Sequence, residues 1–158
     1  MIGSLSTGSL FANRFEIDRP AGSGGMGTVY RARDRQDGSM VALKLLHAGG
    51  SDLKEAARFQ REAQILAELR HENIVSHVSH GLTADGQRYL AMEWLDGEDL
   101  GHRLARGPLL LRDCISLLRH VAQALAVAHA RGVIHRDLKP TNLFLCDGQT
   151  ERVKILDF

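Results

Sequence analysis

The spacing of apolar and polar residues divides the chain into two differently built halves. In "RFEIDRPAG", "GTVYRARD" and "SMVALKLLH" (14–22, 27–34 and 39–47) the side chains largely alternate with a period of two, as strands with one buried face do. A glycine-rich turn separates the first two. Next, "SDLKEAARFQREAQILAELRH" (51–71) carries apolar residues at helical spacing, and Asp52 with Glu55 makes a capping box at its start. "SHVSHGL" (76–82) and "RYLAMEWL" (88–95) read as two more strands around an Asp85-Gly86 turn. The first half is therefore a small sheet with one helix.

After "DGEDL" the pattern changes. "LLLRDCISLLRHVAQALAVAHARG" (109–132) is apolar at Ile115, Leu118, Ala122 and Leu125, and again at Leu117, Val121 and Ala128. A stripe that wide predicts a helix buried on much of its surface, closed by Gly132. The loop "IHRDLKPTN", a short strand "LFL", a turn at Asp147-Gly148 and a closing strand "VKILDF" complete the second half. The boundary between halves falls near Leu95 to Gly97. The start, up to about Asn13, is small and polar and reads as loosely ordered.

Composition changes this picture little. At 158 residues the chain has room for one ordinary domain or two small lobes. Twenty Lys+Arg against nineteen Asp+Glu leaves no bulk charge to argue for nucleic acid or a membrane surface. Cys114 and Cys146 fit neither a disulfide framework nor a zinc site, so a reducing cytosol is the expected setting. No signal peptide is evident, and no apolar run approaches the ~20 residues needed to span a bilayer. The reading is of a soluble chain.

The candidate chemistry starts at Gly22, Gly24 and Gly27, spaced G-x-G-x-x-G, with Val29 following. Glycine lets backbone N–H groups approach a phosphate closely. A dinucleotide site needs a helix after such a loop, whereas "TVYRARD" reads as a strand, which disfavours an oxidoreductase. Lys44 lies on a strand with Ala42 and Leu46 on its face and Leu43 and Leu45 on the other. A snorkelling lysine is the ordinary alternative, but an ammonium in so apolar a run calls for an anion. Glu62, with Phe59, Ile65, Leu66 and Leu69 around it, projects from the apolar helix face and is the expected partner.

"HRDLKPTN" (135–142) is the strongest run. Pro140 and the crowded charges exclude regular structure, and the loop offers Asp137 as a base, Lys139 as a phosphate clamp and Asn142 as an oxygen ligand. The returning strand brings Asp157 near Asn142, two oxygen ligands for one Mg²⁺. His71, His77 and His80 are poorer metal candidates. The odd spacing of 77 and 80 puts them on opposite faces of a strand, so structural histidines are expected.

Together these stretches resemble the protein-kinase signature set, and "GSGGMGTVYRARD" with "HRDLKPTN" is most similar to the eukaryotic-like serine/threonine kinases of bacteria. The resemblance implies an α+β bilobal fold. Residues 1–14 would be a flexible segment. Residues 15–95 would form an N-lobe with a five-stranded antiparallel sheet and one helix, and 96–158 part of a helical C-lobe.

It further implies that Asp137 accepts or orients the substrate hydroxyl, Lys139 steadies the transferring phosphate, and Asn142 and Asp157 hold Mg²⁺. Lys44, positioned by Glu62, would grip the phosphates of ATP beneath Ala21, Gly22, Ser23, Gly24, Gly25, Met26, Gly27, Thr28 and Val29. Ala42 and the gatekeeper Met92 would border the base. Glu93 and Leu95 would offer it backbone groups, and Asp99 would meet the ribose. Lys139 favours serine/threonine over tyrosine in the protein substrate. Ala21 stands where the family usually has a larger aliphatic residue. The residues that the family carries after Asp-Phe are not in the sequence, so the reading expects a chain cut beside Asp157 and activity in an intact parent. The expected setting is cytoplasmic, with membrane anchoring of such a parent left open. A catalytically inactive, nucleotide-binding or scaffolding relative is the alternative. The joint presence of Lys44, Glu62, Asp137, Asn142 and Asp157 favours the active one.

Overall fold

The computed structural model describes residues 5–24, 27–46 and 53–158, apart from the side chains of 53–58 and 62. It divides into two compact units, Met1–Ala63 with His77–Trp94, and Gln64–Ser76 with Leu95–Phe158.

In the first unit the strands are β1 (Leu10–Phe11), β2 (Phe15–Gly24), β3 (Gly27–Asp34), β4 (Met40–Leu46), β5 (His77–Leu82) and β6 (Arg88–Glu93). They form one antiparallel sheet in the order β1-β2-β3-β4-β6-β5. The alternation in β4 decides its two faces. Val41, Leu43 and Leu45 are buried; Val41 lies opposite Ala32, Leu43 opposite Tyr30 and Ala91, and Leu45 opposite Tyr89, in a core that also holds Phe15 and Ile17. Met40, Ala42, Lys44 and Leu46 alternate with them and are only half-buried. Helix α1 (Leu53–Glu68) follows β4. The expected Asp52–Glu55 capping box and the Lys44–Glu62 pair fall outside the described residues.

The sheet has six strands where the pattern predicts five, and residues 8–11 are tied down within the stretch where loose order is expected. The Gly8 N–H donates to the Ile17 carbonyl (2.7 Å) and the Ile17 N–H to that of Ser9 (2.9 Å). Ala12 and Asn13, both left-handed (φ 51° and 54°), reverse the chain so that β1 pairs with β2. Phe11 is thereby buried edge-on against Tyr89, with ring centroids 5.4 Å apart. A two-residue apolar strand is too short to show a period, and one buried aromatic anchors it.

A second correction concerns β5. His77 and His80 do not face opposite ways, because the register slips between His77 and Ser79. His77 lies opposite Met92 and Ser79 opposite Ala91, so β5 takes two steps against one on β6. This extra residue reverses the parity, and the two rings meet.

Asp34, at the end of β3, has a fully buried side chain and accepts from Arg14 Nε at 3.0 Å and from Nη2 at 2.6 Å. The Arg14 hydrogen bonds hold its carboxyl below the usual carboxylate range despite burial, and the Gln36 amide adds to them.

The second unit contains a three-stranded antiparallel sheet, β7 (Gly97–Asp99), β8 (Leu143–Cys146) and β9 (Val153–Ile155), in that order. Ile74 bridges Ile155 in parallel on the far side of β9. Helix α2 (Leu100–Ala105) and β7 were not anticipated. Both are short, and β7 depends on Gly97 (φ 143°), where a Cβ would lie 2.1 Å from the Leu145 carbonyl oxygen. Helix α3 (Leu111–His129) packs on β9 through Leu117, Val121, Ala124 and Ala128. The Gly132 N–H bonds the His129 carbonyl and the Val133 N–H that of Ala128, a Schellman closure with Gly132 left-handed, as the sequence predicts. The broad burial predicted for α3 does not occur, because Ile115 and Leu118 are 59% and 66% exposed. In this unit β9 and its preceding turn cover one side of the apolar stripe only. Among the described residues no helix is long and apolar enough to cross a membrane.

Candidate active site

In the first unit the glycine loop and Lys44 are brought together by register. Gly22 pairs with Val29, Ser23 with Thr28 and Gly24 with Gly27, around residues 25–26, which lie outside the described ones. Val29 is directly opposite Lys44, and Lys44 opposite Leu90. One row over, Ala42 is opposite Met92, which is buried. Directly opposed residues share a face, so Val29, Ala42, Lys44 and Met92 lie on one side of the sheet, away from the core. Ala21 is exposed at the β2 end, Thr28 follows Gly27 on β3, and Glu93 closes β6 opposite Val41.

The glycines differ in what they do. A Cβ on Gly27 would lie 2.2 Å from the Leu45 carbonyl oxygen, so close packing of β3 on β4 requires that glycine. Cβ atoms on Gly22 and Gly24 would meet nothing within 4 Å. The fold itself does not demand those two, and their open surroundings fit a cradle for a phosphate tail. Trp94, just past β6, has Arg19 and Arg31 over its ring at 5.6 and 5.4 Å.

In the second unit the loop from His135 to Asn142 is fixed by its own side chains. The Asp137 N–H donates to the His135 carbonyl (2.9 Å). Asn142 Nδ2 donates to the Asp137 carbonyl (2.9 Å) and to its carboxylate (3.3 Å). Lys139 Nζ sits 2.7 Å from the same carboxylate. The Lys139 hydrogen bond, with smaller help from Asn142, holds the exposed Asp137 carboxyl below its ordinary range. Asp137 therefore stays ionised at neutral pH. A single 3-10 turn, Pro140–Asn142, ends the loop with Asn142 buried.

The segment after β9, which carries Asp157, is stitched to that loop. Leu143 pairs with Ile155, and the Leu156 N–H donates to the Asn142 carbonyl (2.9 Å), so Asn142 and Asp157 stand at adjacent positions. Because Nδ2 of Asn142 is turned to Asp137, its Oδ1 points the other way. A carboxylate and an amide oxygen suit Mg²⁺, a hard cation that takes few protein ligands. Among the described residues no group of three or more His, Cys, Asp and Glu is placed to hold a metal. Arg136 and Asp157 are left-handed (φ 63° and 52°), a conformation that costs a non-glycine residue about 1–3 kcal/mol and collects at functional sites.

Asp99, the expected ribose contact, caps α2. It accepts from the His102 N–H at 3.0 Å and from the His102 ring. Burial pushes its carboxyl up, but the His102 bonds outweigh this and leave it below the usual range. Leu95 opens the second segment of the second unit and is half-buried.

Sequence reasoning gave His135 no role, yet it links loop to strand. Its Nε2 lies 2.7 Å from the Leu156 carbonyl oxygen, its Nδ1 lies 3.3 Å from the Asp137 N–H, and its ring meets Phe158 edge-on at 4.8 Å. Asn73 was missed too. Its Nδ2 donates to the Val153 carbonyl (2.8 Å) and its carbonyl accepts from the Ile155 N–H (2.9 Å), holding β9 from the other side. No periodic signal marks either residue.

Residues 15–158 match the family described as protein kinase domain. The chain belongs to that family. Among its relatives, this kinase-family chain is 41% identical over 155 residues to serine/threonine-protein kinase pkn3 of Myxococcus xanthus. It is 42% identical over 161 residues to serine/threonine-protein kinase PknJ of Mycobacterium tuberculosis. These alignments cover 96% and 100% of the chain but 28% and 27% of the relatives. The kinase domain of M. tuberculosis PknI superimposes with a TM-score of 0.86 at 33% identity, over 98% of this chain and 61% of that one. The resemblance to bacterial serine/threonine kinases and the expected fold class are both borne out.

Proposed function

We propose that this chain carries the ATP-binding sheet and phosphotransfer loop of a serine/threonine protein kinase. The observation that supports this best is the Asp137–Lys139–Asn142 cluster, tied through His135 and Leu156 to the segment after β9 that carries Asp157. Gly22, Gly24 and their neighbours from Ala21 to Val29, residues 25–26 included, would cover the phosphates of ATP. Lys44 would meet those phosphates, and Glu62 would position Lys44. Ala42 and Met92 would border the base, with backbone groups of Glu93 and Leu95 reading its edge. Asp99 would meet the ribose if its cap to α2 can be shared.

Asn142 Oδ1 and the Asp157 carboxylate would hold Mg²⁺, which when bound neutralises charge on the phosphates. Asp137 would orient the serine or threonine hydroxyl. Its lowered pKa makes it a weak base, suited to taking the proton late in the transfer. Lys139, 2.7 Å from Asp137, would leave that carboxylate for an incoming phosphoryl group. A cytoplasmic setting fits the chemistry of ATP and two cysteines, Cys114 and Cys146, that are not joined in a disulfide.

The test is ATP-dependent phosphorylation of itself or of a basic protein by the complete gene product. Labelling lost in Asp137→Asn supports the reading. Labelling that persists undiminished contradicts it and favours a nucleotide-binding or scaffolding role.

A further inference from the structure

The histidine pair on β5 has no part in the proposed phosphotransfer. His77 Nε2 and His80 Nδ1 face each other at 2.8 Å, with ring centroids 5.0 Å apart and planes at 63°. The β-bulge between His77 and Ser79 creates this meeting, since a regular strand would point the two residues apart. Bulges that re-aim a side chain are features of sites as well as of edges. β5 is the outermost strand of its sheet and both histidines are half-buried, so solvent reaches them.

Between two neutral imidazoles one nitrogen donates and the other accepts, so a single proton occupies the gap. Moving that proton to the outer nitrogens leaves two lone pairs directed at one point. Imidazole nitrogen is a preferred ligand of Zn²⁺, Cu²⁺ and Ni²⁺ and a poor one for Mg²⁺ or Ca²⁺. The dimensions also agree. With metal–nitrogen bonds of ~2.0–2.1 Å and angles between tetragonal and tetrahedral, two ligating rings have centroids roughly 4.5–5.2 Å apart. The observed 5.0 Å falls in that range, so the rings need to pivot but not to separate.

We infer that His77 and His80 form a two-ligand site for a divalent transition-metal ion, with water completing its coordination. The ion binds the bulged, folded strand and not an extended one, so it stabilises the first unit by mass action. The site is separate from the Asn142–Asp157 pair in residues and in ligand chemistry, and it stands or falls independently of the kinase reading.

The test is titration of the chain with Zn²⁺ alone and then in excess Mg²⁺, followed by ¹⁵N NMR of the histidine rings. The His77 Nε2 and His80 Nδ1 resonances should shift together, saturate at one ion and ignore Mg²⁺. His77→Ala and His80→Ala should each weaken Zn²⁺ binding at that site by about tenfold or more, at least the loss seen when supporting partners of a metal ligand are removed. Zn²⁺ leaving both resonances in place would overturn the inference, and so would Zn²⁺ binding unchanged in His77→Ala. The NMR measurement uses the unaltered chain, so a variant that fails to fold does not leave the question open.

Discussion

Lys44 in the first unit is placed by sheet register, between Val29 on one strand and Leu90 on another, whereas Asp137 in the second is placed by bonds from side chains to a loop backbone. Register is a collective property. Each of the many ladder bonds of β3, β4 and β6 contributes modestly to holding the backbone at the lysine. The loop is held by few groups, chiefly His135, Asn142 and the Leu156 backbone, and it contains left-handed Arg136. A repetitive scaffold tolerates local change, while a loop constellation concentrates its chemistry and its vulnerability in named side chains.

The comparison breaks most visibly at Asp137. Asp137→Asn should lower phosphotransfer by ~10²–10⁴-fold, the usual range for a positioned acid–base group. Nucleotide affinity and thermal stability should barely change, since Asp137 is exposed. A kinetic assay beside a melting curve checks both halves. Asp34→Ala is the converse. It strands Arg14 beside a buried site in the first unit and should destabilise the chain by roughly 3–5 kcal/mol. Denaturant titration reads this, and proteolysis should cut residues 5–46 before 95–158.

The Asp34–Arg14 pair also sets an acid limit. The folded-state pKa of Asp34 is depressed, so its contribution is fully present above the unfolded carboxylate value of ~3.9. It is lost as pH falls below that value and through the folded one. Melting temperature should therefore drop steeply below about pH 4. In Asp34→Asn the curve should start lower and be flatter in that window. The smallest effect is expected at Asp99. Asp99→Ala removes the α2 cap and should cost about 1 kcal/mol, whereas Asp99→Ser keeps a cap. A loss of ATP affinity in Asp99→Ser without loss of stability would separate the ribose role from the capping role.

What the sequence made legible follows the same division. Alternation through "MVALKLL" predicts the core face of β4 and the opposite placement of Lys44, because a period of two converts directly into sides of a sheet. The kinase-like loop from His135 to Asn142 was legible as a motif, since its residue types are fixed by chemistry. Its internal bonds were not, because whether His135 reaches Leu156 depends on chain separation across twenty-one residues. β1, β7 and α2 are too short to carry a period. The His77–His80 contact was misread for a specific reason. Parity arguments assume an unbroken ladder, and a one-residue bulge inverts them.

The central claim is that Asn142 and Asp157 hold the divalent ion that accompanies ATP. Mn²⁺ in place of Mg²⁺, added with a non-hydrolysable ATP analogue, broadens NMR signals near the ion it replaces. The account predicts that the Asn142 side-chain amide and the Asp157 backbone amide broaden first and together, and recover when excess Mg²⁺ is added. Both signals staying sharp while others broaden would contradict it.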